Sequence, residues 1–206
     1  DLRKLPVEGG GEKWVFYSAD GYYFTGEFDG HEFKPDGIRQ NAWKTTVPYA
    51  AQTIWGTEDV ILIPWLRTEN RNKLYTGAMG LPRKLSLVQT KEGYRLRQLP
   101  VDSFLLARSA VHSSNGEGKV FCMSQRDGAL EICIHMEKSV DFTINLYGTP
   151  ITYAASCGKL GVGAQVYEIG RNLNDFSLLA DGELLEVSAE DGLVLAMMEL
   201  PSDRKK

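Results

Sequence analysis

Basic residues are the minority in this chain: 23 Lys and Arg stand against 27 Asp and Glu, a net charge of −4. The sequence pI is near 5.5. A nucleic-acid partner needs a cationic surplus to displace phosphate counterions, so that class of function is excluded. The cluster Arg204-Lys205-Lys206 reads as a solvated tail. Cysteine is scarce, and Cys122, Cys133 and Cys157 are odd in number without metal-type spacing. They read as three buried free thiols in a reducing compartment, which leans the localisation towards the cytoplasm. Three scattered histidines, His31, His112 and His135, form no ligand cluster. No apolar run approaches the ~18 residues of a membrane span, and no basic-then-apolar leader opens the chain. No cofactor and no metal is expected.

Helical periodicity is also missing; what fills the chain is period-2 alternation broken by Gly and Asp turns. Lys13 to Ala19 and Tyr22 to Phe28 are aromatic, β-favouring runs joined by Asp20-Gly21, which predicts a two-residue type I′ hairpin. Asp20 is in the first place a turn residue. Asp29-Gly30 repeats the chemistry before Glu32-Phe33. Asp36 to Thr46 reads as an irregular loop. Tyr49 to Ile54 is a strand, and Val60 to Leu66 is a continuous apolar run expected to be buried on both faces, with Pro64 at an edge or a bulge. Tyr75 to Met79 and Lys84 to Gln89 complete the group. Two successive meanders of about 40–45 residues suit propeller blades.

The stretch RTENRNKLYTGAMGLPRKLSL, residues 67–87, separates these hairpins from longer strands downstream. Gly77, Ala78 and Gly80 leave room for another backbone, and Pro82 cannot sit in a central ladder. Arg67, Glu69 and Asn70 read as loop residues, and Pro82-Arg83 as the holder of a junction between two β units.

The segments LPVEG, WVFYSADGYYFTGEFDG, YAAQT, ILIPWLR, YTGAMGLPRKLSL and LRQLPV, in this order, resemble the later part of glycoside hydrolase family 32. That family includes invertases, levanases, inulinases and sucrose-6-phosphate hydrolases. The resemblance implies an all-β chain: the last blades of a five-bladed β-propeller over 1–95, a connector over 96–108 and a C-terminal β-sandwich over 109–206. It also implies hydrolysis of terminal β-fructosyl bonds by a retaining mechanism in a complete enzyme, with a sucrose- or fructan-type carbohydrate as partner.

By the same resemblance Tyr49 and Trp65 line the fructosyl site, Asp20 falls at the pocket rim, and Asp1 is the Asp of the motif Trp-Glu-Cys-Pro-Asp. The opening Asp1-Leu2 looks like the tail of that motif, with its acid/base Glu just before residue 1. The family's Asn-Asp-Pro and Arg-Asp-Pro motifs do not occur in the 206 residues. No catalytic residue is therefore assigned, and the chain alone is expected to be inactive. Two departures stand out: Val47-Pro48 replaces the family's Asp-Phe before the tyrosine, and Pro64 replaces Gly before the tryptophan. Core aromatics remain the second reading of Tyr49 and Trp65. A non-catalytic sugar-binding or assembly module remains the second reading of the chain, and open propeller edges predict self-association.

Downstream, strands are expected near Lys119 to Met123, Ala129 to Met136, Asp141 to Asn145, Ile151 to Ala155, Ala164 to Ile169, Phe176 to Ala180, Leu184 to Ser188 and Leu193 to Leu200. Their spacing and Gly/Asn/Asp turns describe a sandwich. In Leu130-Ile132-Ile134-Met136 the apolar set faces one way and Cys133 and His135 the other. Gly158-x-x-Gly161-x-Gly163 does not open a helix, so a phosphate loop is disfavoured. Cys157 has no His base nearby in sequence.

Overall fold

The computed structural model describes residues 1–54, 56–69, 74–108 and 128–200. The first sheet holds β1 (Leu2–Pro6), β2 (Glu12–Tyr17), β3 (Tyr22–Phe28), β4 (Phe33–Pro35) and β5 (Gln40–Asn41), ordered β1-β2-β3-β4 with β5 also on β3. Alternation works as the pattern demands: Val15 and Tyr17 are buried while Phe16 between them is exposed. The β2–β3 turn differs from the two-residue expectation. Ser18 N–H bonds Tyr22 O and Gly21 N–H bonds Ser18 O, and of Asp20 and Gly21 only the glycine has positive φ, +79°. This is a three-residue loop ending in a left-handed glycine, the next most common hairpin solution. Gly21 is required twice over, because a Cβ there would meet the Trp43 ring at 2.2 Å.

The second sheet holds β6 (Pro48–Thr53), β7 (Ile61–Leu66), β8 (Ala78–Met79), β9 (Arg83–Thr90) and β10 (Gly93–Pro100), ordered β10-β9-β7-β6 with β8 on β7. Pro64 lies inside β7 and is accommodated by a bulge. Tyr49 pairs with Trp65 and Gln52 with Ile63, so Ala50 and Ala51 together oppose the proline, with Ala50 at φ +45°. A residue without an N–H costs no ladder bond where the ladder is already broken. On the other side Gly80 N–H bonds Pro64 O, and a Cβ on Gly80 would lie 2.7 Å from Pro64 Cγ. The expectation that β7 is buried on both faces is corrected: Leu62, Pro64 and Leu66 are buried, but Trp65 is 38% exposed.

Leu96–Arg108 reads as a connector in sequence, yet β10 pairs with β9 all the way to Pro100. The link proper is Val101 and the short helix α1 (Asp102–Leu106). Beyond it lie β11 (Leu130–His135), β12 (Phe142–Leu146), β13 (Thr149–Ala154), β14 (Lys159–Val162), β15 (Gln165–Glu168), β16 (Asp175–Asp181), β17 (Leu184–Ala189) and β18 (Val194–Glu199). They form two antiparallel sheets, β11-β16-β17-β18 and β12-β13-β14-β15. Ile151, Tyr153, Leu160 and Val162 of one sheet share a core with Phe176, Leu178, Leu185 and Val187 of the other, which makes a sandwich. The expected strand near Lys119 to Met123, with Cys122 and His112, lies outside the described residues.

Gly158 belongs to the β13–β14 turn, Gly161 to β14, a strand the sequence pattern does not announce, and Gly163 to the β14–β15 turn. Gly158 has φ +71°, and a Cβ on it would lie 2.6 Å from Gly170 backbone carbon. Close backbone approach, with no phosphate involved, explains it. The buried-thiol expectation is corrected too: Cys133 and Cys157 are exposed free cysteines. Cys133 sits on the polar side of β11, where the period-2 pattern had already placed it.

β18 joins the two halves of the molecule. Val194, Ala196 and Met198 pack into the sandwich core. Leu195 and Met197 pack with Leu5, Tyr17, Leu66 and Leu87 of the first two sheets. Lys44 N–H bonds Leu195 O at 2.8 Å, and the Thr45 hydroxyl donates to Met197 O and accepts from Met197 N–H. These bonds cover the sheet edge that β18 would otherwise expose.

Candidate functional site

The four residues singled out in sequence, Asp1, Asp20, Tyr49 and Trp65, are all tied to β6. Tyr49 stands opposite Trp65 in the β6–β7 register, and their rings meet edge-to-face, centroids 6.2 Å apart at 65°. Such a pair contributes about 0.5–1.5 kcal/mol beyond burial and holds both rings in fixed orientation. Gly77 makes room for it: a Cβ there would lie 2.2 Å from Trp65 Nε1. Tyr49 is half-buried and Trp65 exposed, so neither is a core aromatic.

Arg67 completes the group. Its guanidinium lies 4.7 Å from the Tyr49 ring centroid, and it donates to Thr46 O. Arg67 follows Trp65 by two residues, so strand alternation puts both on one face. The sequence carries that signal, although Arg67 reads there as a loop residue.

At the other end of β6 the Thr53 hydroxyl donates to Asp1 Oδ2, and Thr53 N–H lies 3.3 Å from the same oxygen. Arg3 Nε donates to Thr53 Oγ1 at 2.6 Å and lies 3.4 Å from Asp1 Oδ1. The Asp1 carboxylate is thus an acceptor held on two sides. Asp20 is exposed in its turn. That turn is fastened to the bulge by the bond from Ala50 N–H to Ala19 O, 2.8 Å, so Asp20 flanks the residue that follows Tyr49. Thr53 carries no sequence signal, because its partners Asp1 and Arg3 lie 52 and 50 residues away.

Two cavities lie elsewhere. One of about 380 Å³ borders Tyr23, Arg39 and Arg95; the other, about 880 Å³, runs between α1 and the outer face of β11 and β16. The aromatic pair lines neither; it presents an open surface. In the larger groove the Cys133 sulfur is partly shielded, and desolvation followed by the Glu131 carboxylate pushes its thiol up. That is the opposite of an activated nucleophile. Among the described residues no three His, Cys, Asp or Glu side chains converge to hold a metal. No described helix is long and apolar enough to cross a membrane.

Comparison with known proteins gives this arrangement a context. Residues 12–100 match the model of the glycosyl hydrolases family 32 N-terminal domain. Solved structures with the same fold include exo-inulinase from Aspergillus awamori, at 17% identity and a TM-score of 0.70, covering 98% of this chain and 51% of that one. Sucrose-6-phosphate hydrolase from Lactobacillus gasseri matches at 17% identity and 0.68, covering 98% and 50%. A β-fructofuranosidase from Bombyx mori matches at 22% identity and 0.62, covering 99% and 49%. The chain therefore spans about half the length of these enzymes, and its two meander sheets and sandwich are the partial β-propeller and β-sandwich of their fold. Residues 12–100 are thus similar to the N-terminal domain of the glycosyl hydrolases family 32.

Proposed function

We propose that the chain supplies one sugar-facing wall of a β-fructosidase, the surface built on Tyr49 and Trp65, for terminal β-fructosyl units of sucrose, sucrose 6-phosphate or fructans. The observation that carries this reading is the exposed, edge-to-face Tyr49–Trp65 pair, wedged by Gly77 and capped by Arg67. Two fixed rings with an adjacent cation offer apolar faces for a sugar's C–H groups and donors for its hydroxyls. Asp20, in the turn fastened to the β6 bulge, and Asp1, at the far end of β6, would supply acceptors along the same strand.

The surface binds without hydrolysing. A retaining glycosidase needs an attacking carboxylate and a proton donor about 5 Å apart. Asn-Asp-Pro and Arg-Asp-Pro are absent from the 206 residues, and the Asp1 carboxylate is occupied by Thr53 and Arg3. The nucleophile and the acid/base of a complete enzyme would come from residues outside these 206.

Calorimetric titration with fructose, sucrose and a levan oligosaccharide tests the binding half. Trp65→Ala and Tyr49→Ala are each expected to weaken binding by about 1 kcal/mol, roughly fivefold. Affinity untouched by both would remove the aromatic wall. Release of reducing sugar from sucrose or levan by the homogeneous chain would overturn the inactivity.

A further inference from the structure

The cavity of about 380 Å³ runs against the charge of the molecule. The chain is acidic overall, yet the titratable side chains lining this cavity, apart from Tyr23, are Arg39, Lys44 and Arg95. We propose that it is an anion site for a phosphate group, carried free or on a small metabolite, set between β5, β10 and the β17–β18 turn.

The donors are placed for such a ligand. Arg39 packs its guanidinium over the Tyr22 ring, Cζ 3.9 Å from the centroid. Stacking occupies the π-face and leaves the in-plane N–H fork free to grip oxygens. Lys44 is anchored through its backbone N–H to Leu195 O, and neither Arg39 nor Lys44 forms an ion pair among the described residues. Arg95 is fixed by a bond to Leu193 O at 3.3 Å. Its one carboxylate partner among the described residues, Glu190, stands 3.8 Å away, an ion pair beyond hydrogen-bonding distance that leaves N–H donors of the guanidinium for a ligand. Gln40 cannot compete for these donors. It accepts from the Tyr23 hydroxyl at 2.9 Å and donates to Tyr94 O at 2.8 Å, while Tyr23 accepts from Leu96 N–H. That chain of bonds forms a rigid wall behind the cations. Asn41 adds an exposed amide at the mouth.

Three cations with at most one distant counter-charge favour a doubly charged group over chloride. The volume lies at the lower end of the range for small-molecule sites, about 300–1,000 Å³, which suits a phosphorylated small molecule as well as the free ion. The site is separate from the Tyr49–Trp65 surface and does not depend on its assignment.

The test is titration calorimetry of the whole chain with inorganic phosphate and, separately, glucose 6-phosphate, at ionic strength held constant with NaCl. Saturable binding of either is expected, and the doubly substituted Arg39→Gln, Lys44→Gln chain should bind on the order of tenfold more weakly. Both positions are exposed, so an unchanged melting temperature verifies that the variant is folded. Tighter binding of the ester identifies a metabolite site; equal affinities identify the free ion. No saturable heat up to about 10 mM of either ligand, or unchanged affinity in the folded variant, overturns the proposal.

Discussion

A histidine on an open strand face is an ordinary solvated residue until a carboxylate is placed against it, and in this chain one is. His135 and Asp175 are direct cross-strand partners in β11–β16, and Nδ1 of the imidazole meets Asp175 Oδ1. That hydrogen bond, then the Asp175 charge, raises the His135 pKa above its ordinary value. The sign follows from linkage: the folded pKa exceeds the unfolded one, so the contribution is complete below about pH 6.5 and is lost as pH rises through the folded value. NMR titration of the imidazole is expected to show the upward shift, and Asp175→Asn to return it to the ordinary range. A shift that survives Asp175→Asn would assign it to another charge, Glu137 being the next contributor. The strand alternation shows that His135 faces away from the core; that β16 returns an aspartate to the same rung is a tertiary fact.

At the scale of elements, β7 is shaped by the residues that pass beside it. Gly77 contacts Trp65, Gly80 contacts Pro64, and the Ala50–Ala51 bulge opposes the proline from the other side. Gly77→Ala should therefore act in two ways: it forces a Cβ to φ +78° and drives it into the Trp65 indole. About 1–3 kcal/mol of stability should be lost in denaturant melts, and the Trp65 indole N–H resonance should move. Gly30→Ala is the control, since Gly30 has φ +99° but nothing near its Cβ. It should cost stability and leave Trp65 unmoved; an equal effect of both on Trp65 would dissolve the wedge argument. This element was legible in outline, because a proline in an apolar strand demands a bulge or an edge and small residues next to it demand an approaching backbone. β10 and β14 were less so. β10 ends in Leu99-Pro100, which reads as a link until its pairing partner β9 is seen, and Gly161 disguises β14, where a Cβ would lie 2.5 Å from Thr152 Oγ1. The site divides in the same way: alternation exposes Arg67 beside Trp65, whereas the Asp1–Thr53–Arg3 contact comes from bringing β1 to β6.

For the whole molecule the question is what keeps the sandwich in place on the propeller sheets, and the Pro82-Arg83 junction provides much of the answer. Arg83 on β9 meets Glu186 on β17 at 2.8 Å, with both side chains nearly inaccessible. The carboxylate is completed by Leu81 N–H at 2.8 Å, and the guanidinium reaches Gln98 O at 3.3 Å. Gln98 carries the connection onward, its side chain to Ala42 O and its N–H to Gly192 O. Bonds from a single residue, Gln98, thus reach the segment just after β5 and the β17–β18 turn of the sandwich. Attraction within a buried pair is largely offset by the cost of stripping two ions of water, so the pair adds little net stability, but an orphaned partner costs heavily. Glu186→Ala should accordingly lose about 3–5 kcal/mol. At about 2–4 °C per kcal/mol for a chain of this size, melting should fall by roughly 6–20 °C. Replacing both ions, Arg83→Met with Glu186→Leu, removes the orphan and should recover most of that loss. A single substitution costing under about 1 kcal/mol would mean that water enters the junction. In that case the packing of Leu195 and Met197 against the propeller sheets, rather than the ion pair, would set the seat of the sandwich.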